Sequence, residues 1–418
     1  MVDDNYIKEI LTKIKTDHIN DIRLPVKNNN RDFYSITEGD LGNIIDNLYS
    51  DVVFDGLFSH FYKMHDDLKK ILNKYYEGDV VEAFKLFSEL LDENIFNMDN
   101  RMIRPPDIQE YFGRSLGKII TSLNYGKDAR TQSIHLFRAC LYDQAPINRS
   151  NMFHKPFDIR HKVASNRYSI PGFPCLYLSG SVYTCWRELQ RPDMRKLYVS
   201  FFKNSNDSPL MFVDFGYNPY YFLRNNCVDI LSSDDDETKD TRSRVFRTLL
   251  FFPLLYMCSI NVKYREQPFT PEYIIPQLLL QWIRKNREPV NTHNANNTNN
   301  KIIGIRYFST HINTHIIHDN PHWVCNYAIP VIKNKISGYC PILGNIFYIS
   351  EGKSINDYRP VINVINQEYL SKSNEEKKEL IGSINGFRNH SIPYIQTELG
   401  QLHYGLLNEY REKIEEYS

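Results

Sequence analysis

Hydrophobic residues recur at helical spacing through the first third of the chain. In residues 40–49, 57–76 and 80–95 the apolar positions lie three or four residues apart, as they do along one face of an amphipathic helix. Gly78 and Asp79 precede the third segment and mark its start. The pattern predicts a helical N-terminal domain over residues 1–125, which serves as scaffold or as a dimer surface.

From about residue 131 the apolar positions fall into shorter runs bounded by Gly, Pro, Ser and Asn, which is typical of β-strands. The predicted strands cover residues 134–141, 173–178, 196–202, 210–215, 301–309, 323–330 and 347–350. Helices are predicted over residues 182–189, 271–285, 374–382 and the C-terminal residues to 417. Residues 249–260 fit a helix or a buried strand, residues 338–341 are expected to cap a strand, and a strand is expected near 391–396. The fold class is therefore α+β, with a mixed β-sheet domain over residues 126–418.

The bulk composition excludes several classes of protein. The formal net charge is +0, so no global field attracts nucleic acid or an anionic membrane. The N-terminus lacks the apolar core of a secretory signal, and the longest apolar run, 249–258, is about half the length of a membrane span. The 7 cysteines include no C-x-x-C pair, so neither a disulfide framework nor a zinc knuckle is indicated. We expect a soluble cytoplasmic protein that binds neither membranes nor nucleic acid directly.

Residues 166–191 concentrate chemistry-bearing side chains in one local unit. Arg167 opens the stretch, and an apolar strand with Tyr177 at its centre follows. Ser181 is a suitable N-cap for the next helix, which carries Glu188 near its end. An Arg, a Tyr and a carboxylate are thus predicted to lie close together.

Two further features of the sequence require an interpretation. Arg138 lies inside an apolar strand, and because an unpaired buried guanidinium is costly, it either pairs with a carboxylate or binds an anionic ligand. A buried ion pair with Glu188 is the structural alternative. His311, His315 and His318 have a spacing that could hold a metal on a helix, but their flanking residues favour strand and loop. We therefore predict no metal site.

Several short blocks occur in an order that resembles the RES domain family, which is named for its Arg, Glu and Ser. The matching blocks are residues 136–139 (LFRA), 166–169 (NRYS), 176–179 (LYLS) with Thr184 and Glu188, 273–278 (YIIPQL) and 304–309 (GIRYFS). The resemblance covers about residues 135–350. The N-terminal helices and the insertions around Asp234 and Asn296 depart from the usual compact domain.

The resemblance implies a fold similar to that of ADP-ribosyltransferase toxins. It also implies a bacterial toxin or anti-phage defence effector that depletes NAD by hydrolysis or phosphorolysis. Such toxins are often paired with an Xre-type antitoxin, so we expect that partner or another regulatory protein, and self-association is a further expectation. NAD is expected as substrate, without a metal cofactor.

Positive charge develops on the ribose when the nicotinamide–ribose bond is cleaved. An enzyme must stabilise this charge and hold the rest of NAD, and the candidate residues are assigned to these tasks. Arg138 and Arg167 are expected to bind the pyrophosphate, because the guanidinium fork matches phosphate oxygens. Tyr177 offers a face for the nicotinamide ring, and Glu188 stabilises the developing cation. Ser309 positions the ribose, the phosphate or the nucleophile. The predicted catalytic set is thus Glu188, Arg138 and Ser309, and the predicted NAD-binding set is Arg138, Arg167, Tyr177 and Ser309.

Two other functions remain open at this point. The same site would serve a mono-ADP-ribosyltransferase that modifies a protein. A catalytically inactive binding module, in which the helical domain recruits a partner, is the alternative outside enzymology.

Overall fold

A computed structural model describes residues 24–29, 31–49, 58–92, 135–143, 147–204, 211–216, 219, 249–264, 267–287, 302–312, 324–332, 336–358 and 397–415. The helices in chain order are α1 Leu41–Tyr49, α2 Phe58–Tyr76, α3 Val80–Leu91, α4 Val182–Glu188, α5 Phe252–Ser259, α6 Ile274–Arg287, α7 Pro341–Ile346, α8 Ile355–Tyr358 and α9 Glu398–Glu415. The strands are β1 His135–Leu141, β2 Cys175–Ser179, β3 Leu197–Asn204, β4 Met211–Phe215, β5 Ile302–Phe308, β6 Cys325–Pro330 and β7 Phe347–Ile349.

The chain divides into two compact units that interleave along the sequence. The first comprises residues 1–110, 166–168 and 217–285, and the second comprises 111–165, 169–216 and 286–418. The predicted boundary between 1–125 and 126–418 falls outside the described residues, so it stays a prediction. The predicted segments 374–382 and 391–396, and the insertions around Asp234 and Asn296, also lie outside the described residues.

The described part of the first unit is helical. Asp79 caps α3 by accepting a hydrogen bond from the Glu82 amide at 3.1 Å, as the Gly-Asp start signal predicted. The residues of α5 are buried on nearly every face, which explains why their pattern lacked a helical period. Residues 249–260, which the sequence left open, are therefore mainly helical.

The second unit contains a seven-stranded mixed sheet in the order β4-β5-β6-β2-β1-β3-β7. β4 and β5 are parallel, and the other neighbouring pairs are antiparallel. Apolar clusters cover both sides of the sheet, one containing Leu136 and Leu178 and the other Phe137 and Val199. The α+β class predicted from the sequence is confirmed.

Two local predictions need correction. β2 begins at Cys175 rather than at residue 173, because Phe173 closes a turn by donating its amide to the Ile170 carbonyl. Residues 338–341 lead into helix α7, which starts at Pro341, rather than capping a strand. Proline suits the first turn of a helix, since its missing N–H has no partner there in any case.

None of the helices in the described part of the chain has the length and apolar composition of a membrane span.

Candidate active site

The short unit from β2 to α4 places Glu188. β2 ends at Ser179, and the Gly180 amide then donates to the Cys325 carbonyl at 2.9 Å. The Ser181 hydroxyl accepts a hydrogen bond from the Thr184 amide at 3.1 Å and starts α4, as predicted. Glu188 is the last residue of that helix, so a strand and a helix joined by two residues determine its position.

The two oxygens of the Glu188 carboxylate have different surroundings. Oε1 accepts hydrogen bonds from Ser309 Oγ at 2.5 Å and from Asn326 Nδ2 at 2.7 Å. Oε2 lies 3.6 Å from His311 Nε2, and 32% of the Glu188 side chain is exposed. Since an oxygen of an ionised carboxylate accepts about two hydrogen bonds, Oε1 is occupied and Oε2 is the oxygen that can serve a ligand.

The turn after β5 brings Ser309 and His311 to this carboxylate. The Ser309 amide donates to the Val324 carbonyl at 2.9 Å, which extends the sheet ladder one residue beyond β5. The Ser309 hydroxyl accepts from the His311 amide at 3.2 Å while it donates to Glu188. Arg187 donates to the His311 carbonyl and so joins α4 to the same turn. Ser309 is fully buried, which fixes its hydroxyl in this network.

The Arg138 side chain contacts Tyr177 at its backbone carbonyl. Arg138 Nη1 donates to the Tyr177 carbonyl at 3.3 Å, and Arg138 Nε is buried without a hydrogen-bond partner. Tyr177 is half-buried at the centre of β2, as predicted. The described contacts of Arg138 and Glu188 include no ion pair between the two side chains. The structural alternative, in which Arg138 is neutralised by Glu188, is therefore not observed among these contacts.

The charges of both Arg138 and Glu188 shift the pKa of the buried Cys185 thiol. The pKa of Cys185 is raised to about 12, mainly by burial; the Ser179 hydroxyl lowers it, the Glu188 carboxylate raises it, and the Arg138 guanidinium lowers it. Strand alternation nevertheless directs Arg138 to the side of the sheet opposite Phe137, which is paired with Ser179. The two groups are therefore near the same thiol, but they are not in direct contact.

Arg167 belongs to the first unit, and its terminal nitrogens bind backbone carbonyls there. Nη1 donates to Cys258 at 2.9 Å and Nη2 to Ile260 at 2.8 Å. The guanidinium also lies over the Tyr273 ring, 5.7 Å from its centroid. These contacts hold residues 166–168 against α5 and the residues after it. The predicted pyrophosphate-binding role of Arg167 stays a prediction.

The described ranges contain no cluster of side chains that could bind a metal ion. No group of three His, Cys, Asp or Glu side chains there is arranged to hold an ion. His315 and His318 of the histidine motif lie outside those ranges.

Asn326 and His311 are the site residues that sequence reasoning missed. Asn326 is a buried amide within the otherwise apolar strand β6, which is the same anomaly that singled out Arg138 in β1. His311 was considered only as a metal ligand. Neither residue could be joined to Glu188 from sequence, because their separations are 138 and 123 residues.

No protein-family model and no solved structure match the chain. Over 232 residues it is 35% identical to a curated protein named "Putative toxin YopC" from Bacillus subtilis (strain 168). The match covers 55% of this chain and 48% of the relative, so the chain spans about half the length of the curated relative it matches. What these findings establish is similarity to a protein with a toxin name, while membership of the RES family stays a prediction.

Proposed function

We propose that this chain is a RES-type enzyme that cleaves the nicotinamide–ribose bond of NAD+ and acts as a toxin by depleting NAD. The proposal is supported mainly by the different surroundings of the two carboxylate oxygens of Glu188. One of its oxygens is held by Ser309 and Asn326, and the other borders a histidine at a partly exposed position.

The reaction assigns a role to Glu188. The carbon–nitrogen bond breaks, the electron pair leaves with nicotinamide, and positive charge develops at the ribose carbon. A fixed carboxylate oxygen beside that carbon stabilises the charge, and it accepts hydrogen bonds from ribose hydroxyls. Oε2 is suited to this task, because Oε1 is already occupied. The oxygen of a water molecule then bonds to the ribose carbon, and that water loses a proton. In phosphorolysis a phosphate oxygen bonds to the ribose carbon instead.

Tyr177 and Ser309 are the other predicted residues on the Glu188 side of the sheet. Arg138 projects from the opposite side, so its predicted pyrophosphate-binding role stays a prediction. The half-buried ring of Tyr177 supplies a face for nicotinamide. Ser309 holds Glu188 and thereby positions the catalytic carboxylate.

A toxin role is supported by the name of the relative from Bacillus subtilis. A chain that depletes NAD in its own cell requires control, so we propose a cognate regulatory protein, such as an Xre-type antitoxin. The cytoplasm is the compartment where both NAD and that regulator would be met.

The test is to incubate the purified chain with NAD+ and to follow free nicotinamide by chromatography. We expect nicotinamide together with ADP-ribose, or with ADP-ribose 1″-phosphate when phosphate is the nucleophile. Absence of nicotinamide release, in an assay where a known glycohydrolase is active, would overturn the proposal. If labelled NAD instead marks a protein in proportion to the nicotinamide released, the hypothesis of a mono-ADP-ribosyltransferase is correct.

A further inference from the structure

A buried chain of hydrogen bonds leads to Glu188 from the centre of the sheet. Ser179 and Asn326 are paired across β2 and β6, with their side chains on one face. Ser179 Oγ lies 2.6 Å from Asn326 Oδ1, and Asn326 Nδ2 lies 2.7 Å from Glu188 Oε1. The exposed fractions of Ser179 and Asn326 are 5% and 3%, so water does not compete for these bonds.

Chemistry determines the direction of each bond in this chain. An ionised carboxylate only accepts, so the amide of Asn326 must turn its NH₂ group toward Glu188. Its oxygen then faces Ser179, whose hydroxyl must donate. Ser179 thereby removes the freedom of the amide to flip, and the amide in turn directs Oε1 of Glu188 toward the sheet.

Without hydrogen bonds to its carboxylate, the Glu188 side chain at the end of a helix could adopt several orientations. It is the last residue of α4, and its side chain is 32% exposed. Ser309 alone supplies one bond, which permits rotation about it. The second bond from Asn326 arises from a different strand and fixes the plane of the carboxylate.

We propose that Ser179 and Asn326 are positioning residues of the reaction, which hold Glu188 so that Oε2 alone faces the substrate. This inference rests on the proposed cleavage of NAD+. It adds two residues that neither touch the substrate nor belong to the predicted set of Arg138, Arg167, Tyr177, Glu188 and Ser309.

The kinetic test compares Asn326→Ala and Asn326→Asp with the exposed substitution Asn73→Asp on α2 as control. A misplaced carboxylate costs about 10- to 100-fold in kcat, and KM for NAD+ should change less than about threefold, since Asn326 makes no substrate contact. Asn326→Asp keeps the shape but replaces the donor by a second carboxylate. A space-filling role therefore predicts that Asn326→Asp retains wild-type kcat, whereas a positioning role predicts that both variants lose it.

Ser179 provides a milder test should the Asn326 variants unfold. Ser179→Ala should lower kcat about 3- to 10-fold, and Ser179→Thr, which restores a hydroxyl, should return it to within about twofold of wild type. Thermal unfolding of each variant checks the fold. Equal kcat in Ser179→Ala, Ser179→Thr and wild type would overturn the inference.

Crystal structures of wild type and Asn326→Ala separate this inference from the proposed function. We expect the Glu188 carboxylate of the variant to have rotated away from its wild-type plane. An unmoved carboxylate would overturn the positioning role even if the variant were inactive. If wild type released no nicotinamide, the proposed function would fail, and the two crystal structures would still decide whether Asn326 orients Glu188.

Discussion

Ser309 and Glu188, 121 residues apart in the chain, are joined by a hydrogen bond of 2.5 Å from the serine hydroxyl to the carboxylate Oε1. Ser309 follows strand β5, and Glu188 ends the helix after β2, so the bond depends on β6, which lies between the two strands in the sheet. The same hydroxyl accepts the His311 amide. Ser309 therefore joins the carboxylate to the turn that carries His311.

Substitution of Ser309 by alanine should impair catalysis more than folding. The change removes one donor to Glu188, for which we expect a loss of about 10- to 100-fold in kcat for nicotinamide release. The loss in unfolding free energy should be about 1 kcal/mol, typical of a single hydrogen bond. Steady-state kinetics and urea unfolding measure the two effects.

Ser88→Ala is the matched control for that variant. Ser88 is also buried, and its hydroxyl bonds to the Phe84 carbonyl at 2.9 Å within α3. It should lose similar stability and retain wild-type kcat. A Ser309→Ala enzyme as active as Ser88→Ala would contradict the assigned role.

His154 should make stability depend on pH in the mildly acidic range. The Cys340 amide donates to its Nε2 at 2.9 Å, which requires a neutral ring, and Nδ1 bonds to the Lys155 carbonyl at 2.8 Å. The pKa of His154 is lowered to about 4, mainly by burial; the hydrogen bond to the Lys155 carbonyl opposes this shift, and the Arg138 charge contributes a smaller part of it. The unfolded chain, with a histidine pKa of about 6.5, therefore binds more protons, and stability is lost as pH falls from about 6.5 to about 4.

The expected contribution of His154 over that range is at most about 3 kcal/mol. The measurement is the unfolding free energy of wild type and His154→Gln, since glutamine stays neutral and can still donate and accept. The difference between the two proteins should shrink below pH 6.5. The exposed substitution His161→Gln should leave the wild-type slope unchanged, and an unchanged slope in His154→Gln would refute the account.

The buried pair of Arg306 and Asp214 should be costly to break. Arg306 Nη1 lies 2.8 Å from Asp214 Oδ2 across the parallel strands β5 and β4, and each side chain is only 2% exposed. Asp214→Asn leaves a buried guanidinium without its counter-charge, so unfolding free energy should fall by about 3–5 kcal/mol. Replacing both residues, by Arg306→Met with Asp214→Leu, should restore most of the loss. Urea unfolding that shows less than about 1 kcal/mol for Asp214→Asn would disprove a compensating pair.

Local features of the site could be predicted from sequence because they depend on neighbouring residues. The turn after Ser179, the cap at Ser181 and the helix ending with Glu188 lie within ten residues. The order of the RES-like blocks also anticipated that Ser309 belongs with Glu188, which the structure brings into contact.

Partners that depend on strand register could not be predicted. Asn326 reaches Glu188 only because β6 pairs with β2 so that Asn326 lies opposite Ser179, and no local pattern specifies that register. Arg167 illustrates the same limit, since its bonds to the Cys258 and Ile260 carbonyls span more than ninety residues. A polar residue inside an apolar strand was the available signal for Asn326.

If the Glu188 carboxylate is required for NAD+ cleavage, the kcat for nicotinamide release must fall in Glu188→Gln. Glutamine keeps the size of the side chain but removes the charge that stabilises the ribose cation, so we expect a fall of at least about 100-fold with an unchanged unfolding midpoint. Glu351→Gln, an exposed substitution in the same unit, should match wild type. A Glu188→Gln enzyme that releases nicotinamide at the wild-type rate would show that this carboxylate is not required for cleavage.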